Sequence, residues 1–265
     1  MVVSRYLASS ILVVFLFNTV SLRAADVWDA ATDFSPTVNP NGAWAYGWSN
    51  NPGIEFNLYQ LRAPLAGCLP NVADQWFEPI TADPAPHVTR NATCIGINCG
   101  GADGIDLQPG ELAFHPGVHN EHSVIRWTSP ISGTFSLAAK FQGRDRNGCS
   151  TDVHVFHNSF ELFVATVTGT GIPRQFAISG LEVIAGDTID FTVGFGGNGY
   201  LNDTTAIDAR IVRVAWNAAT DFSPTVNPNG AWTYGWSNNP GIEFNLYQLR
   251  APFGWLFAKR GRPMV

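Results

Sequence analysis

The residues of this sequence with the widest chemical repertoire are histidines and carboxylates that crowd into two short stretches. HPGVHNEH contains His115, His119, Glu121 and His122, and DVHVFH contains Asp152, His154 and His157. Imidazole nitrogens and carboxylate oxygens are ligands for Zn²⁺, which needs three or four of them around one point. Two histidines one helical turn apart are excluded here, because Pro116 and Gly117 lie between His115 and His119.

A metal centre would therefore have to be assembled from strands and loops, with Asp152 and His154 facing His115 or His119. Its candidate ligands are His115, His119 and His154. The alternative is that these are turn and strand histidines with local hydrogen bonds, and the sequence leaves both hypotheses open.

Oxygen ligands are concentrated in GNGYLNDTTAID, which contains Asn198, Asn202, Asp203 and Asp208. Ca²⁺ prefers such ligands on a loop, although the spacing is not that of an EF-hand. The alternative is a set of Asx turns that cap a hairpin. We therefore predict no resident cofactor other than Ca²⁺, with Asn198, Asp203 and Asp208 as its candidate ligands. The predicted ligand-binding residues are Asp152, His154, His115, Asn202 and Asp203.

Catalytic motifs such as G-x-S-x-G and H-E-x-x-H are absent from the sequence. GFGGNG matches the glycine spacing of a dinucleotide-binding loop, but a helix must follow such a loop, and YLNDTTAIDARI alternates like a strand instead. No spacing distinguishes a pair of carboxylates for glycoside hydrolysis. We therefore predict a protein that is not an enzyme, with a metal-dependent hydrolase built on the histidine cluster as an alternative.

The elements that must position these groups are strands. GTFSLAAKF, TDVHVFH and DTIDFTVGF each alternate apolar and polar residues with a period of two. Further strands are expected at Ile54–Leu61, Glu111–His115, His122–Trp127, Glu161–Thr168, Gln175–Ile184 and Ala206–Val214. About ten short strands separated by turns predict an all-β fold, an antiparallel β-sandwich of jelly-roll type. Residues 65–110, with many prolines and little alternation, are predicted to form a loop-rich, disulfide-bearing insertion.

One long segment of the chain occurs twice. Trp28–Pro64 recurs as Trp216–Pro252, with differences only at positions 29 and 45 of the first copy. The predicted organisation is a sandwich domain over 25–215, a partial duplicate over 216–252 and an unrelated basic tail over 253–265. About 40 residues cannot bury their own apolar side chains. The duplicate is therefore expected to hang free, to pack as an extra layer on the sandwich, or to compete with the first copy for its place within the chain or in a neighbouring chain. The alternative is a remnant without a role.

Three aromatic residues, Trp44, Tyr46 and Trp48, alternate in the repeated segment. Large aromatic side chains dominate buried area, which favours a place in the core. The alternative is a platform on which sugar rings stack, and the sequence does not distinguish the two.

The first 24 residues have the pattern of a secretory signal peptide, with Arg5, a short apolar stretch and small residues before Asp26. An exported protein is exposed to oxidising conditions, so the four cysteines are expected to form two disulfides. The favoured pairing is Cys94–Cys99 with Cys68–Cys149. No later stretch is long and apolar enough to span a bilayer, so the mature chain is expected to be secreted or attached to the cell surface.

A net charge of −6 and only two lysines argue against binding to nucleic acid or to an anionic membrane.

Four stretches of the sequence together resemble exported bacterial β-sandwich proteins of the PEP-CTERM-associated type. They are WDAATDFSPTVNPNGAWAYGW, HSVIRWTSPISGTFSLAAKFQGRD, STDVHVFHN and VIAGDTIDFTVGFGGNGYLNDTTAIDARI. The resemblance implies export and a jelly-roll-like fold. The C-terminal sorting tail of that type is missing, since GWLFAKRGRPMV contains no Pro-Glu-Pro signal.

The sequence favours an exported, non-catalytic module whose partner is a glycan or another extracellular surface component. The alternative of a different class is a structural or adhesive surface protein that forms homo-oligomers through the repeated segment. A glycan-binding protein would keep its ligand without the duplicate, whereas a self-associating protein would lose its oligomer.

Overall fold

Strands are the regular elements of this chain. The structure is a computed structural model that describes residues 26–64, 68–69, 73–78, 85–93, 96–99 and 104–214, with short pieces between 222 and 247. The predicted signal peptide, Cys94 and the basic tail lie outside the described residues. No described segment is a helix able to span a membrane. The strands are β1 (Val27–Asp29), β2 (Trp44–Ser49), β3 (Asn57–Leu58), β4 (Leu61–Pro64), β5 (Cys68–Leu69), β6 (Ala73–Phe77), β7 (His87–Asn91), β8 (Ile97–Cys99), β9 (Ile105–Leu107), β10 (Leu112–His115), β11 (His122–Thr128), β12 (Gly133–Gly143), β13 (Ser150–His157), β14 (Phe160–Thr168), β15 (Arg174–Val183), β16 (Thr188–Gly194), β17 (Thr205–Arg213), β18 (Gly235–Trp236) and β19 (Asn245–Leu246).

Two antiparallel sheets form the body of the molecule. The eight-stranded sheet has the order β15-β12-β17-β10-β7-β6-β4, with β1 also paired to β17, and the six-stranded sheet has the order β14-β13-β16-β11-β2-β3. From β10 to β17 the chain crosses from one sheet to the other at every step except the β13–β14 hairpin. Eight strands wound in this way are a jelly roll. The predicted all-β fold, an antiparallel sandwich, is confirmed.

The core lies between the two sheets and follows the alternation in the sequence. Phe135 and Phe141 of β12, Val153 of β13 and Phe191 of β16 are buried in one hydrophobic cluster. Trp127 of the six-stranded sheet meets Phe135 of the other sheet edge to face, with ring centroids 5.4 Å apart. Because alternate residues point inward, the residues between them on β11, β13 and β16 must point outward, and they form the candidate site.

The first copy of the repeat completes the sandwich. Its strands β1 and β4 join the eight-stranded sheet, and β2 and β3 extend the six-stranded sheet beyond β11. Trp44 and Tyr46 are 1% and 0% exposed, so the expectation of a core position is correct for both and a sugar-stacking platform at them is excluded. Tyr59 is also buried, and its hydroxyl lies 2.8 Å from the Ser123 hydroxyl on β11.

In its described pieces, the second copy repeats the local structure of the first. Gly235 pairs with Leu246 across β18 and β19, as Gly47 pairs with Leu58 in the first copy. Asn227 donates to the Tyr234 carbonyl at 2.7 Å and accepts from the Tyr234 amide, the same bonds that Asn39 makes to Tyr46. These strands form a two-stranded sheet of their own. The segment therefore encodes its hairpin locally, whereas its burial depends on the rest of the domain.

Strands occur in the segment that was predicted to be a loop-rich insertion. β6 and β7 extend the eight-stranded sheet beyond β10, and β5, β8 and β9 form a small sheet. Trp76 of β6 is buried, and its indole nitrogen donates to the Ser35 carbonyl at 2.8 Å. The short strands were missed because each has five residues or fewer, with prolines and glycines in the segments between them, so no alternation is long enough to be visible.

The predicted Cys68–Cys149 disulfide is wrong. Cys149 is a free, buried thiol, and its sulfur lies near the hydroxyls of Thr151 and Thr205. Burial raises the pKa of this thiol to about 11. Cys68 belongs to the small sheet, where its backbone pairs with that of Cys99. The partner proposed for Cys99, Cys94, lies outside the described residues.

Candidate functional site

The outward face of the six-stranded sheet brings three polar side chains together at one point. β16 lies between β11 and β13, and Asp152 of β13 pairs with Gly194 at the end of β16. On the other side of β16, His122 is the first residue of β11. Gly194 has no side chain to separate them, and a Cβ placed there would lie 2.5 Å from His122 Cε1 and 2.6 Å from Asp152 Oδ2. A glycine at this position is therefore what allows His122 and Asp152 to meet across a strand.

His154 joins this point because it is two residues after Asp152 on the same face of β13. Its Nε2 lies 2.9 Å from Asp152 Oδ2, and its Nδ1 lies 2.6 Å from Glu161 Oε1. Glu161 comes from β14, opposite Phe156 in the β13–β14 hairpin. The imidazole is thus held between two carboxylates, and both of its nitrogens donate when the ring is protonated.

The charges of the cluster stabilise one another. Burial raises the pKa of Asp152, but bonds from His154 and from the Gly196 amide outweigh it and lower the net pKa to about 2. Burial also lowers the pKa of His154, and its bonds to Asp152 and Glu161 outweigh that effect, so that the net pKa is raised. At neutral pH Asp152 is therefore ionised, and its carboxylate favours the protonated form of the neighbouring His154.

His122 completes the cluster in a different state. His122 is only 7% exposed. Burial lowers the pKa of its imidazole more than the nearby Asp152 raises that pKa. Its Nε2 lies 3.9 Å from Asp152 Oδ2, and its Nδ1 has no hydrogen-bond partner among the described residues. A neutral imidazole with a lone pair is the form that can ligate a metal or accept a hydrogen bond.

The floor and walls of the site come from the neighbouring outward residues. Arg126 and Asp190 make a two-bond ion pair at 2.7 and 2.6 Å. The ring of Phe56, in the segment between β2 and β3, lies 4.3 Å from the Arg126 guanidinium. The Phe156 ring stacks on His154, with centroids 5.7 Å apart. Thr192 lies between Val124 and His154 in the sheet, and its buried hydroxyl has no partner among the described residues.

The histidines that were predicted as metal ligands do not lie together in the structure. Asp152 and His154 lie together in the cluster described above. His115 belongs to β10 in the eight-stranded sheet, where its ring stacks on that of His87, 5.2 Å between centroids. The His119 amide donates to Glu121 Oε2 in the loop before β11. The group of described residues that could hold a metal is His122, Asp152 and His154, without His115 or His119.

The predicted calcium ligands lie on the β16–β17 loop and on β17. Asp203 is buried, and its Oδ1 accepts from the Ser150 amide at 3.1 Å. Asp208 is exposed on β17, opposite Lys140 of β12. Asn202 has a positive φ of 66°, and Asn198 lies in the same loop. The metal-capable group among the described residues includes neither Asp203 nor Asp208.

Two members of the cluster, His122 and Glu161, were missed by the sequence-based prediction as ligand-binding residues. The position of Glu161 could have been predicted from a two-residue turn at Asn158-Ser159. Such a turn places Phe160 opposite His157 and hence Glu161 opposite Phe156. His122 belongs to the histidine-rich stretch, but nothing local indicates that it meets Asp152, since its position depends on β16 pairing with both β11 and β13. That pairing joins residues thirty or more positions apart.

Comparisons with known proteins give low similarities. No protein-family model and no curated protein matches the chain. Among solved structures, a CBM51 module from Clostridium perfringens GH95 in complex with methyl-galactose has a TM-score of 0.31 at 14% identity, and covers 47% of this chain and 86% of its own. The K1 cleaved adhesin domain of Lys-gingipain from Porphyromonas gingivalis W83 has a TM-score of 0.34 at 11% identity, covering 73% and 99%. The TmCBM61 module in complex with beta-1,4-galactotriose has a TM-score of 0.29 at 12% identity, covering 64% and 88%.

Proposed function

We propose that this chain is an exported, non-catalytic binding module, and that a glycan binds on the outward face of its six-stranded sheet. The observation that carries the proposal is the cluster of Asp152, His154 and Glu161 on that face. Sugar hydroxyls both donate and accept hydrogen bonds, so the carboxylates of Asp152 and Glu161, held in place by His154, suit them as acceptors. The sequence-predicted signal peptide supports an extracellular ligand, as does the resemblance to exported proteins.

The arrangement of His154 supports binding over general-base catalysis. Both of its ring nitrogens are bonded to carboxylates, so that neither is available to take a proton from a nucleophile. A base in a catalytic triad keeps one nitrogen for the nucleophile and one for the carboxylate. The metal-dependent hydrolase remains the alternative, and release of nitrophenol from nitrophenyl glycosides and esters by the zinc-loaded protein would favour it.

A glycan array probed with the purified protein tests the proposal. We expect at least one glycan class to be retained, with binding reduced tenfold or more in Asp152→Asn and in Glu161→Gln. His157→Gln is the matched control, because His157 also pairs with a carboxylate, Asp187, at 3.1 Å but outside the cluster. Retention of no glycan, or equal retention by the Asp152 and Glu161 variants, would refute the proposal.

The second copy of the repeat favours a second candidate function, self-association. In the first copy the hairpin is covered because β2 pairs with β11 over six residues. In the second copy the same hairpin leaves Trp236 and Tyr247 46% and 54% exposed. Near-identity of sequence makes the second copy a competitor for β11 of a neighbouring chain. Exchange of the two copies would link chains through the same contacts that the first copy makes with β11 in its own chain.

The oligomeric state of the purified protein tests this second candidate. Light scattering during size-exclusion chromatography should show a dimer or larger species whose fraction rises with concentration. Trp236→Ser combined with Tyr247→Ser should shift it to monomer, because exchange would place these side chains where Trp48 is half-buried and Tyr59 is buried in the first copy. A monomeric wild type at high concentration would refute self-association and leave the glycan proposal untouched.

A further inference from the structure

We propose that His122 Nε2, Asp152 Oδ2 and His154 Nε2 form a binding site for one divalent transition-metal ion of the zinc type. The inference deepens the proposed function, because the ion would lie where the glycan hydroxyls are expected to bind. It differs from the calcium site expected from the sequence in its position, its ligands and its ion.

The three ligand atoms already converge. They lie within 4.8 Å of one another, with Asp152 Oδ2 2.9 Å from His154 Nε2 and 3.9 Å from His122 Nε2. Tetrahedral Zn²⁺ with bonds of about 2.1 Å needs ligand atoms about 3.4 Å apart. Metal binding therefore requires a small opening of the Asp152–His154 contact, a small approach by His122 and release of the proton on His154 Nε2 to solvent. Since His122 Nδ1 has no hydrogen-bond partner, no such bond holds that ring against turning.

The surroundings hold two of the ligands in the orientation that a metal needs. Glu161 Oε1 lies 2.6 Å from the far nitrogen of His154, which is the arrangement of a carboxylate behind a metal-bound histidine. The Gly196 amide donates to Asp152 Oδ1 at 2.6 Å, which leaves Oδ2 as the ligand atom. Gly194 leaves the space over β16 in which the ion would sit.

The ligand set selects the class of ion. Two imidazoles and one carboxylate suit Zn²⁺, Ni²⁺ or Cu²⁺, whereas Ca²⁺ and Mg²⁺ require oxygen ligands. Three protein ligands leave a fourth position open. Asp152 and His154 are partly exposed, so the open position can be reached from solvent. A hydroxyl of the glycan is the ligand that the proposed function would place there.

Calorimetric titration of the metal-stripped protein with ZnCl₂, and separately with CaCl₂, tests the site without any glycan. We expect one Zn²⁺ per chain, no saturable Ca²⁺ binding at this site, and loss of the Zn²⁺ isotherm in His122→Gln. Glu161→Gln should weaken zinc binding about 10- to 100-fold, because it removes the bond behind the ligand. His157→Gln should bind Zn²⁺ as the wild type does.

A second variant keeps the test decisive if His122→Gln does not fold. Gly194→Ala retains all three ligands but places a methyl group against His122 and Asp152, so it should also abolish zinc binding. Unchanged zinc affinity in both His122→Gln and Gly194→Ala, or no zinc binding by the wild type, would overturn the inference. Glycan retention by the metal-stripped protein would overturn a role of the ion in glycan binding without touching the glycan proposal.

Discussion

Asp203 should make the stability of this fold depend on pH in an unusual direction. The side chain is 0% exposed, Oδ1 accepts one bond from the Ser150 amide, and Oδ2 has no partner among the described residues. Burial, reinforced by the negative charges of Asp145 and Asp152, raises its pKa from 3.8 to about 7. A carboxyl with a raised pKa stabilises the folded state while it is protonated, and this stabilisation is lost as the pH rises through 7.

The size of the effect follows from the two pKa values. With a pKa near 3.9 in the unfolded chain, the folded state gains about 2 to 3 kcal/mol from the Asp203 proton at pH 5 and almost nothing at pH 8. Asp203→Asn removes this dependence. We therefore expect the free energy of unfolding of the variant, relative to the wild type, to rise by about 2 to 3 kcal/mol from pH 5 to pH 8.

Urea denaturation of both proteins at pH 5, 6, 7 and 8 measures this difference. Asp208→Asn is the control, since Asp208 is exposed and its neutralisation should give curves parallel to the wild type. If the Asp203→Asn and wild-type stabilities stay parallel across this range, the argument from burial of Asp203 is wrong.

Three further perturbations have definite expected outcomes. Arg126→Gln should destabilise the protein by about 3 to 5 kcal/mol in urea titrations, because it leaves Asp190 buried without its partner, and adding Asp190→Asn should recover part of the loss. The Cys149 thiol should resist alkylation at pH 8 until the protein is unfolded, since it is buried and its pKa is raised to about 11; labelling of the native protein, followed by mass spectrometry, would contradict this. Gly47→Ala should lower the melting temperature, because its methyl group would meet the Asn57 carbonyl, whereas Gly235→Ala creates the same local clash in the second copy and should leave the melting of the sandwich unchanged.

The sequence was sufficient for the features that depend on local alternation. Val153 and Val155 alternate with Asp152 and His154, and the structure buries the valines and turns the polar pair outward. The tendency of large aromatic side chains to be buried favoured a core position for Trp44 over a sugar-stacking platform, and the structure shows that core position. Where the strands have only five residues, as in β6 and β7, alternation was too short to detect.

The sequence was insufficient where long-range pairing decides the outcome. His122 meets Asp152 only because β16 lies between their strands and presents a glycine at that position. The pairing of Cys149 with Cys68 was argued from an even number of cysteines, a count that says nothing about which sheet each residue joins. Neither fact is local, so neither could be inferred from spacing.

The most direct test of the account is to locate the ligand on the protein. Imidazole resonances of the six histidines can be followed by NMR while the best-retained glycan of the array is added. We predict that the His122 and His154 signals shift together with saturation, while those of His157 and His119 stay unchanged. Shifts confined to other histidines, or a saturating glycan that moves neither His122 nor His154, would contradict a binding site on the outward face of the six-stranded sheet.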